Sequence, residues 1–217
     1  MITMNQASAT QVGRIMTVGL CLWALGACSA LQPTSTAPTT FYSLDSSAPV
    51  AAKMTTAPAI LSATAPTLVI NPPHAAAGFD GPRIIYLREP HKLDYFAHSE
   101  WVDPPARMLG ALMVNAIESS GTFRAVVLTP GAAAGDLRLD TEIIRLQHEF
   151  LTQPSRVRFT LRATLVDDKT RRVLARHEFE AIASASSEDP YGGVVAANLA
   201  VQAVLENLSQ FLSESQQ

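Results

Sequence analysis

The residues of this chain that could do chemistry are two cysteines, five histidines, and acids and arginines carried on periodic segments. Cys21 and Cys28 both lie near the N-terminus, and Ser29 to Gln217 contains no cysteine. A thiol at that end is open to acylation, but the body has neither a disulfide framework nor a thiol nucleophile. His148-Glu149 and His177-Glu178 resemble acid–imidazole pairs. Both fall in strand-like runs, where neighbouring side chains point to opposite faces, so neither is the same-face pair that zinc hydrolases carry on a helix. His177 has the inward parity of its segment and reads as a core histidine. His91 and His98 are seven residues apart with no third ligand at metal spacing. No Gly-x-Ser-x-Gly elbow, phosphate-binding glycine loop or dinucleotide fingerprint occurs. Asp167-Asp168 and Glu188-Asp189 sit where a turn and a helix cap favour acids. The expectation is a protein with no catalytic residue, no metal and no cofactor.

The N-terminal chemistry is more specific. Met1 to Ala27 carries a single charge, Arg14, followed by an apolar run from Ile15 to Leu25. That run is shorter than the ~20 residues needed to span hydrocarbon, and it fits the apolar region of an export signal. Leu25-Gly26-Ala27-Cys28 then gives an aliphatic residue, two small residues and a cysteine, and resembles the lipobox of bacterial lipoproteins. In such proteins a diacylglyceryl group is placed on the thiol, and a peptidase that needs small side chains cuts just before it. The new α-amine is then usually acylated, and each buried methylene contributes ~0.8 kcal/mol to anchoring. Residues 1–27 are therefore expected to be a signal peptide and Cys28 the lipid attachment point. The residue after the cysteine is Ser29, not the aspartate associated with inner-membrane retention, so the expected location is the periplasmic face of the outer membrane.

Charge excludes other partners. The whole chain carries -3, with 16 basic against 19 acidic residues. Without Arg14 the mature chain is at -4, 15 against 19. There is no basic excess to neutralise nucleic-acid phosphates or to grip anionic headgroups. A chain of 217 residues with 47% hydrophobic content supports one domain with a real core.

The elements that must position these residues follow from periodicity. Ser29 to Thr40 is rich in Ser, Thr and Pro and uncharged, so 28–40 reads as the lipidated cysteine and a tether. Residues 41–217 read as a single domain, in which 45–66 is a low-complexity loop. Leu68-Val69-Ile70, Arg83 to Arg88 and Leu93 to Phe96 are strands bounded by prolines and glycine. Asp103-Pro104 opens a helix with Asp103 as cap, and Leu109, Leu112, Met113, Ala116 and Ile117 make its apolar stripe up to Gly121. A strand at Phe123 to Leu128 follows. Asp136 to Phe150 is a long strand whose apolar parity flips at Ile143-Ile144, which a bulge or a bend there would explain. Arg156 to Val166 alternates throughout, with Val157, Phe159, Leu161, Ala163 and Leu165 inward. Arg172 to Ser184 follows after a turn, with Val173, Ala175, Phe179 and Ala181 inward. Asp189-Pro190 opens a last helix with Tyr191, Val194, Val201, Leu205, Leu208 and Leu212 on one stripe, Asn198 being its one polar position. The predicted fold is α+β: a two-layer sandwich of a mixed or antiparallel sheet with two main helices on one face.

Placed on these elements, the chain resembles the ABC-type transport auxiliary lipoprotein family. The resemblance runs from Phe41-Tyr42-Ser43-Leu44 through Leu68-Val69-Ile70-Asn71-Pro72-Pro73, Gly78-Phe79-Asp80 and Arg83-Ile84-Ile85-Tyr86. It continues in Leu93-Asp94-Tyr95-Phe96 and Glu100-Trp101-Val102-Asp103-Pro104-Pro105, and closes at Asp189-Pro190-Tyr191. The order of these segments carries it, since no single motif is diagnostic. The long stretch 45–66 departs from the pattern and puts the pairing of the first strand in doubt. The resemblance implies a non-enzymatic subunit of a mammalian-cell-entry (MCE) or paraquat-inducible lipid transport system. Its partners would be an MCE-domain periplasmic lipid-transport protein and the ABC transporter that protein serves, with self-association left open.

Two surfaces are candidates for such docking. Arg156, Arg158 and Arg162, with Arg172 and Arg176 across the hairpin, form a basic outward face, of which Arg158 and Arg162 are the central pair. Tyr95 and Phe96 are expected as exposed aromatics. The alternative is a lipoprotein that binds a lipid or small molecule in its own cavity, which would need a sizeable apolar pocket between sheet and helices.

Overall fold

The structure, a computed structural model, describes residues 37–45, 65–131 and 134–216. The expected signal peptide, Cys28, most of the tether and residues 46–64 of the expected loop lie outside the described residues. Eleven elements occur in order: β1 (Thr40–Tyr42), β2 (Thr67–Ile70), β3 (His74–Ala75), β4 (Arg83–Glu89), β5 (Lys92–Trp101), α1 (Pro105–Ser119), β6 (Ala125–Leu128), β7 (Leu137–Glu149), β8 (Arg156–Asp167), β9 (Val173–Ser184) and α2 (Pro190–Glu214). All fall in the unit Thr39–Gln217.

The described strands form one mixed sheet. β7 is its spine. One edge of β7 pairs antiparallel with β8 over its whole length, and β8 pairs antiparallel with β9. On the other edge three short strands lie parallel to β7 in succession, β2 at Leu137, β3 at Glu142 and β4 at His148. β6 flanks β2 in parallel, β5 flanks β4 antiparallel, and β1 adds to β5 in parallel. The uninterrupted apolar run of β2 is buried on both faces because it is a parallel strand between two others. The parity flip in β7 is a bulge: Ile143 pairs with Leu161 and Arg145 with Thr160, leaving Ile144 as the extra residue.

Both helices cover one face. α2 lies along β8 and β9, while α1 packs on α2 and β6. Leu109, Met113 and Ile117 of α1, Leu208 and Leu212 of α2, and Phe159, Leu161 and Leu165 of β8 are fully buried between the layers. α1 ends at Gly121, whose φ of 66° suits the reversal that closes a helix. The fold class is the α+β sandwich expected from the pattern.

Several local expectations are corrected. Asp103 does not cap α1: Pro104 is the cap residue, Pro105 starts the helix, and the Asp103 carboxylate bonds Arg107 Nη1 at 3.2 Å instead. Asp189 does cap α2, accepting from Gly192 N–H at 2.7 Å. Val173, His177 and Tyr191 have the inward parity but are exposed. α2 runs back along β9, and Phe211 near its end reaches only as far as His177, whose ring it stacks on at 5.5 Å. Val173 leaves the inward parity, because the pairing shifts from Leu165↔Ala175 to Val166↔Val173 and Leu174 becomes an extra residue. In the first turn of α2 the buried positions are Gly192 and Gly193, not Tyr191. β5 is also longer than expected, running on to Trp101, which is buried beside the helices.

Candidate functional site

The chain enters the body at Tyr42–Asp45. β1 adds to the end of β5 through Tyr42↔Trp101, and Val102 N–H donates to Tyr42 O at 2.7 Å. Beyond β1 the backbone leaves the sheet, so its polar groups need other partners. Asn198 of α2 supplies them: its Oδ1 accepts Asp45 N–H at 2.9 Å and its Nδ2 donates to Ser43 O at 3.3 Å. Between these two bonds Leu44 turns inward and is buried, its N–H directed at Met108 Sδ of α1 at 3.4 Å. The one polar position in the apolar register of α2 is thus a clamp on the segment that follows the tether. Periodicity singles out Asn198 but cannot name its partner.

The open face of the sheet carries an ion-pair ladder across β7, β8 and β9. Arg162 on β8 bonds Glu142 on β7 at 2.9 Å and Glu178 on β9 at 3.1 Å. Arg158 bonds Glu149 at 2.7 Å and Glu180 at 2.6 Å. Arg156 reaches Glu149 at 3.2 Å, and Arg138 sits between Asp140 and Asp168. Burial pushes the Glu149 carboxyl up, but hydrogen bonds from Arg158 and Gln147 and the charge of Arg158 outweigh it, so the group lies below its ordinary range. The same bonds raise Arg158. Alternation correctly placed these arginines outward, yet each central one is already held between two carboxylates from its neighbours.

Tyr95 is exposed, with the Arg83 guanidinium 4.2 Å over its ring. Phe96 is not exposed as expected. It packs 4.6 Å from Tyr86 and 6.4 Å from Phe150, because alternation along β5 puts it on the face opposite Tyr95 and on the same side as Tyr86, which pairs with Asp94 two residues earlier. The same cluster includes His148, whose ring lies 4.1 Å from Phe150. His148 Nε2 is 2.8 Å from Ser155 Oγ, and both residues are buried. This serine–histidine pair has no carboxylate on Nδ1 and no accessible hydroxyl, so it reads as a packing hydrogen bond. Burial holds the His148 imidazole below its ordinary value against the upward pull of Glu188 and Asp189.

The cleft between Ile84, Trp101, Leu146, His148, Gly193 and Ala197 has a volume of about 10 Å³, room for one water. Among the described residues no three His, Cys, Asp or Glu side chains converge as a metal site. His91 is a turn residue with φ of 68°, and His98 lies on β5. Asp167 is a turn acid, accepting Thr170 N–H at 2.7 Å, and Glu188 accepts Ser155 N–H at 2.8 Å.

The model of the family described as ABC-type transport auxiliary lipoprotein component matches residues 42–209. Protein XCC0632 from Xanthomonas campestris, a DUF330 protein, superposes with a TM-score of 0.64 at 25% identity, over 70% of this chain and 86% of that one. A second crystal structure, of an uncharacterized protein, gives 0.55 at 12% identity, over 70% of this chain and 92% of the other, a likeness of fold alone. No relative among the curated proteins matches the sequence.

Proposed function

This chain belongs to the family of ABC-type transport auxiliary lipoprotein components, and on that premise we propose that it is a non-catalytic, lipid-anchored docking subunit of an MCE-type lipid transport system. In this reading Cys28 carries the lipid and holds the domain at the periplasmic face of the outer membrane. The domain receives an MCE-domain protein that spans the periplasm from its ABC transporter. The observation that carries the reading is where the family match begins. Tyr42 opens both the matched region and the clamped segment Tyr42–Asp45, so the described body is fastened at the point where the chain arrives from Cys28. The tether Ser29–Thr40 reaches at most ~40 Å when extended, so the partner must come to the membrane.

The core also supports docking over the ligand-binding alternative. Among the described residues the cleft beside Trp101 and His148 accommodates one water, whereas a lipid or drug-sized ligand needs ~300 Å³ or more. Of the four docking candidates, Tyr95 offers the open aromatic surface. Phe96 is committed to the inner cluster, and Arg158 and Arg162 would have to exchange existing carboxylate partners for new ones. The deciding experiment is cross-linking in intact cells followed by purification of the lipoprotein from membranes. An MCE-domain protein should be recovered with the wild type and lost with Cys28→Ala, whose precursor should stay unlipidated and uncut. Recovery of a defined lipid tightly bound inside the domain, without such a protein, would favour the ligand-binding reading instead.

A further inference from the structure

Among the described residues β9 pairs on one side only, with β8. Its other edge is a row of backbone donors and acceptors twelve residues long. Natural edges of this length are normally blunted by charged side chains, by proline or by a bulge. β9 has no proline, its one irregularity is the extra residue Leu174 close to the turn, and its charges are of both signs, so they can pair with a copy of themselves. Two pairs of residues on its open face are symmetric about Glu178. Two residues before it stands Arg176, which makes no ion pair among the described residues, and two residues after it stands Glu180. Four residues before and after stand Leu174 and Ile182, both exposed, at 42% and 46%.

We propose that β9 pairs antiparallel with β9 of a second copy of this chain, about a twofold axis at Glu178, making one continuous sheet across the two copies. This goes beyond the docking role and is independent of it. An isologous contact requires each surface to complement itself. In this register Arg176 faces the partner's Glu180 and Leu174 faces the partner's Ile182, each pair occurring twice. On the helix side His177 comes opposite the partner's Phe179, whose ring is buried under Phe211 of its own chain. Glu178 faces its own copy, a like-charge pair, but Arg162 Nη2 already neutralises each one at 3.1 Å. Centring on His177 also sets Arg176 against an acid, the partner's Glu178, but leaves Leu174 against the partner's Glu180. Centring on Phe179 sets Glu178 against the partner's Glu180. Only the register at Glu178 matches both the charged and the apolar pairs.

The absence of cysteine after Cys28 makes the test direct. The full chain carrying Glu178→Cys, purified from membranes in detergent, should oxidise to a disulfide-linked pair of twice the mass. Arg176→Cys and Glu180→Cys should each remain single chains and cross-link only when mixed with each other. The wild-type control, whose one mature thiol is Cys28, reports separately on the lipid reading: it cross-links only if Cys28 is unmodified. Arg176→Glu, judged by light scattering in the same detergent, should weaken the dimer by about tenfold, since two attractive cross-strand pairs become repulsive. A monomer at every concentration overturns the proposal. So does a larger assembly in which the cysteine at position 178 stays reduced.

Discussion

Gly193 in the first turn of α2 lies against the imidazole of His148, so close that a Cβ on the glycine would overlap Nδ1. An exposed helical glycine replaced by alanine stabilises by ~1 kcal/mol. Here the ring is buried and fixed by its bond to Ser155, so a methyl group has nowhere to go and overpacking costs ~1–3 kcal/mol. Gly193→Ala should therefore destabilise the protein in urea unfolding. In a His148→Ala background the same substitution should change sign and stabilise. Stabilisation in the wild-type background would show that the contact does not constrain the helix.

His148 also sets a pH dependence. Its folded pKa lies below the ordinary 6.5, chiefly through burial. Above 6.5 both folded and unfolded chains are neutral there, and the contribution to stability is complete. As the pH falls below 6.5 the unfolded chain takes up the proton first, so stability declines until the folded pKa is reached. The carboxylates that hold charge in the folded state, such as Glu149, begin to be lost only below their own ordinary value of 4.5. Unfolding free energy should fall between 6.5 and the carboxylate range in the wild type. In His148→Gln, which can still bond Ser155 but does not titrate, it should stay flat there. An equal decline in both would assign the effect elsewhere.

The Asn198 clamp should fail locally before the body does. Asn198→Leu strips the Ser43 carbonyl and the Asp45 amide of their partner, at ~1–2 kcal/mol. Amide exchange at Tyr42 to Asp45 should accelerate strongly, while that of β7 and β8 stays near wild type. If exchange rises uniformly, the clamp is part of the global core and not a latch.

The two central arginines should differ in weight. Arg158→Met leaves the Glu149 carboxylate, 5% exposed in its side chain, with Arg156 and Gln147 only, and should cost about 2–3 kcal/mol. Arg162→Met frees Glu142 and Glu178, which are 41% and 50% exposed, and should cost less than ~1 kcal/mol. Thermal unfolding of the two variants tests the ranking. Equal losses would mean that burial of Glu149 does not control the ladder. It also follows that charge reversal at Arg158 perturbs the fold as well as any partner, so a docking assay should use Tyr95→Ser instead.

Faces were legible in the sequence wherever one element obeyed one period. The alternation of β8, the parity flip that became the Ile144 bulge, the stripe of α1 and the Asp189 cap all depend on neighbours within a few residues. The cap of α1 was misread by one position because Asp103-Pro104-Pro105 offers two prolines, and a local rule does not say which one begins the helix. Phe96 was misread because adjacent residues of one strand face opposite sides, and only the pairing of β5 with β4 decides that Phe96, and not Tyr95, is the one packed on Tyr86.

What the sequence determined by itself was which side of each element is apolar, because that is set by side-chain direction along a single chain. What covers each side was decided only by tertiary structure. Val173 and His177 have the right parity in the sequence, but a shift in the pairing of β9 takes Val173 out of that parity, and Phe211 of α2 reaches the His177 ring without burying it. Arg158 and Arg162 point outward as expected, yet their charges are met by Glu149, Glu180, Glu142 and Glu178 from other strands. Asn198 looked like a flaw in an apolar stripe until a segment more than 150 residues earlier was found bonded to it. Such partners lie far apart in sequence, and only the closing of the sheet and the packing of α2 brings them within hydrogen-bond reach.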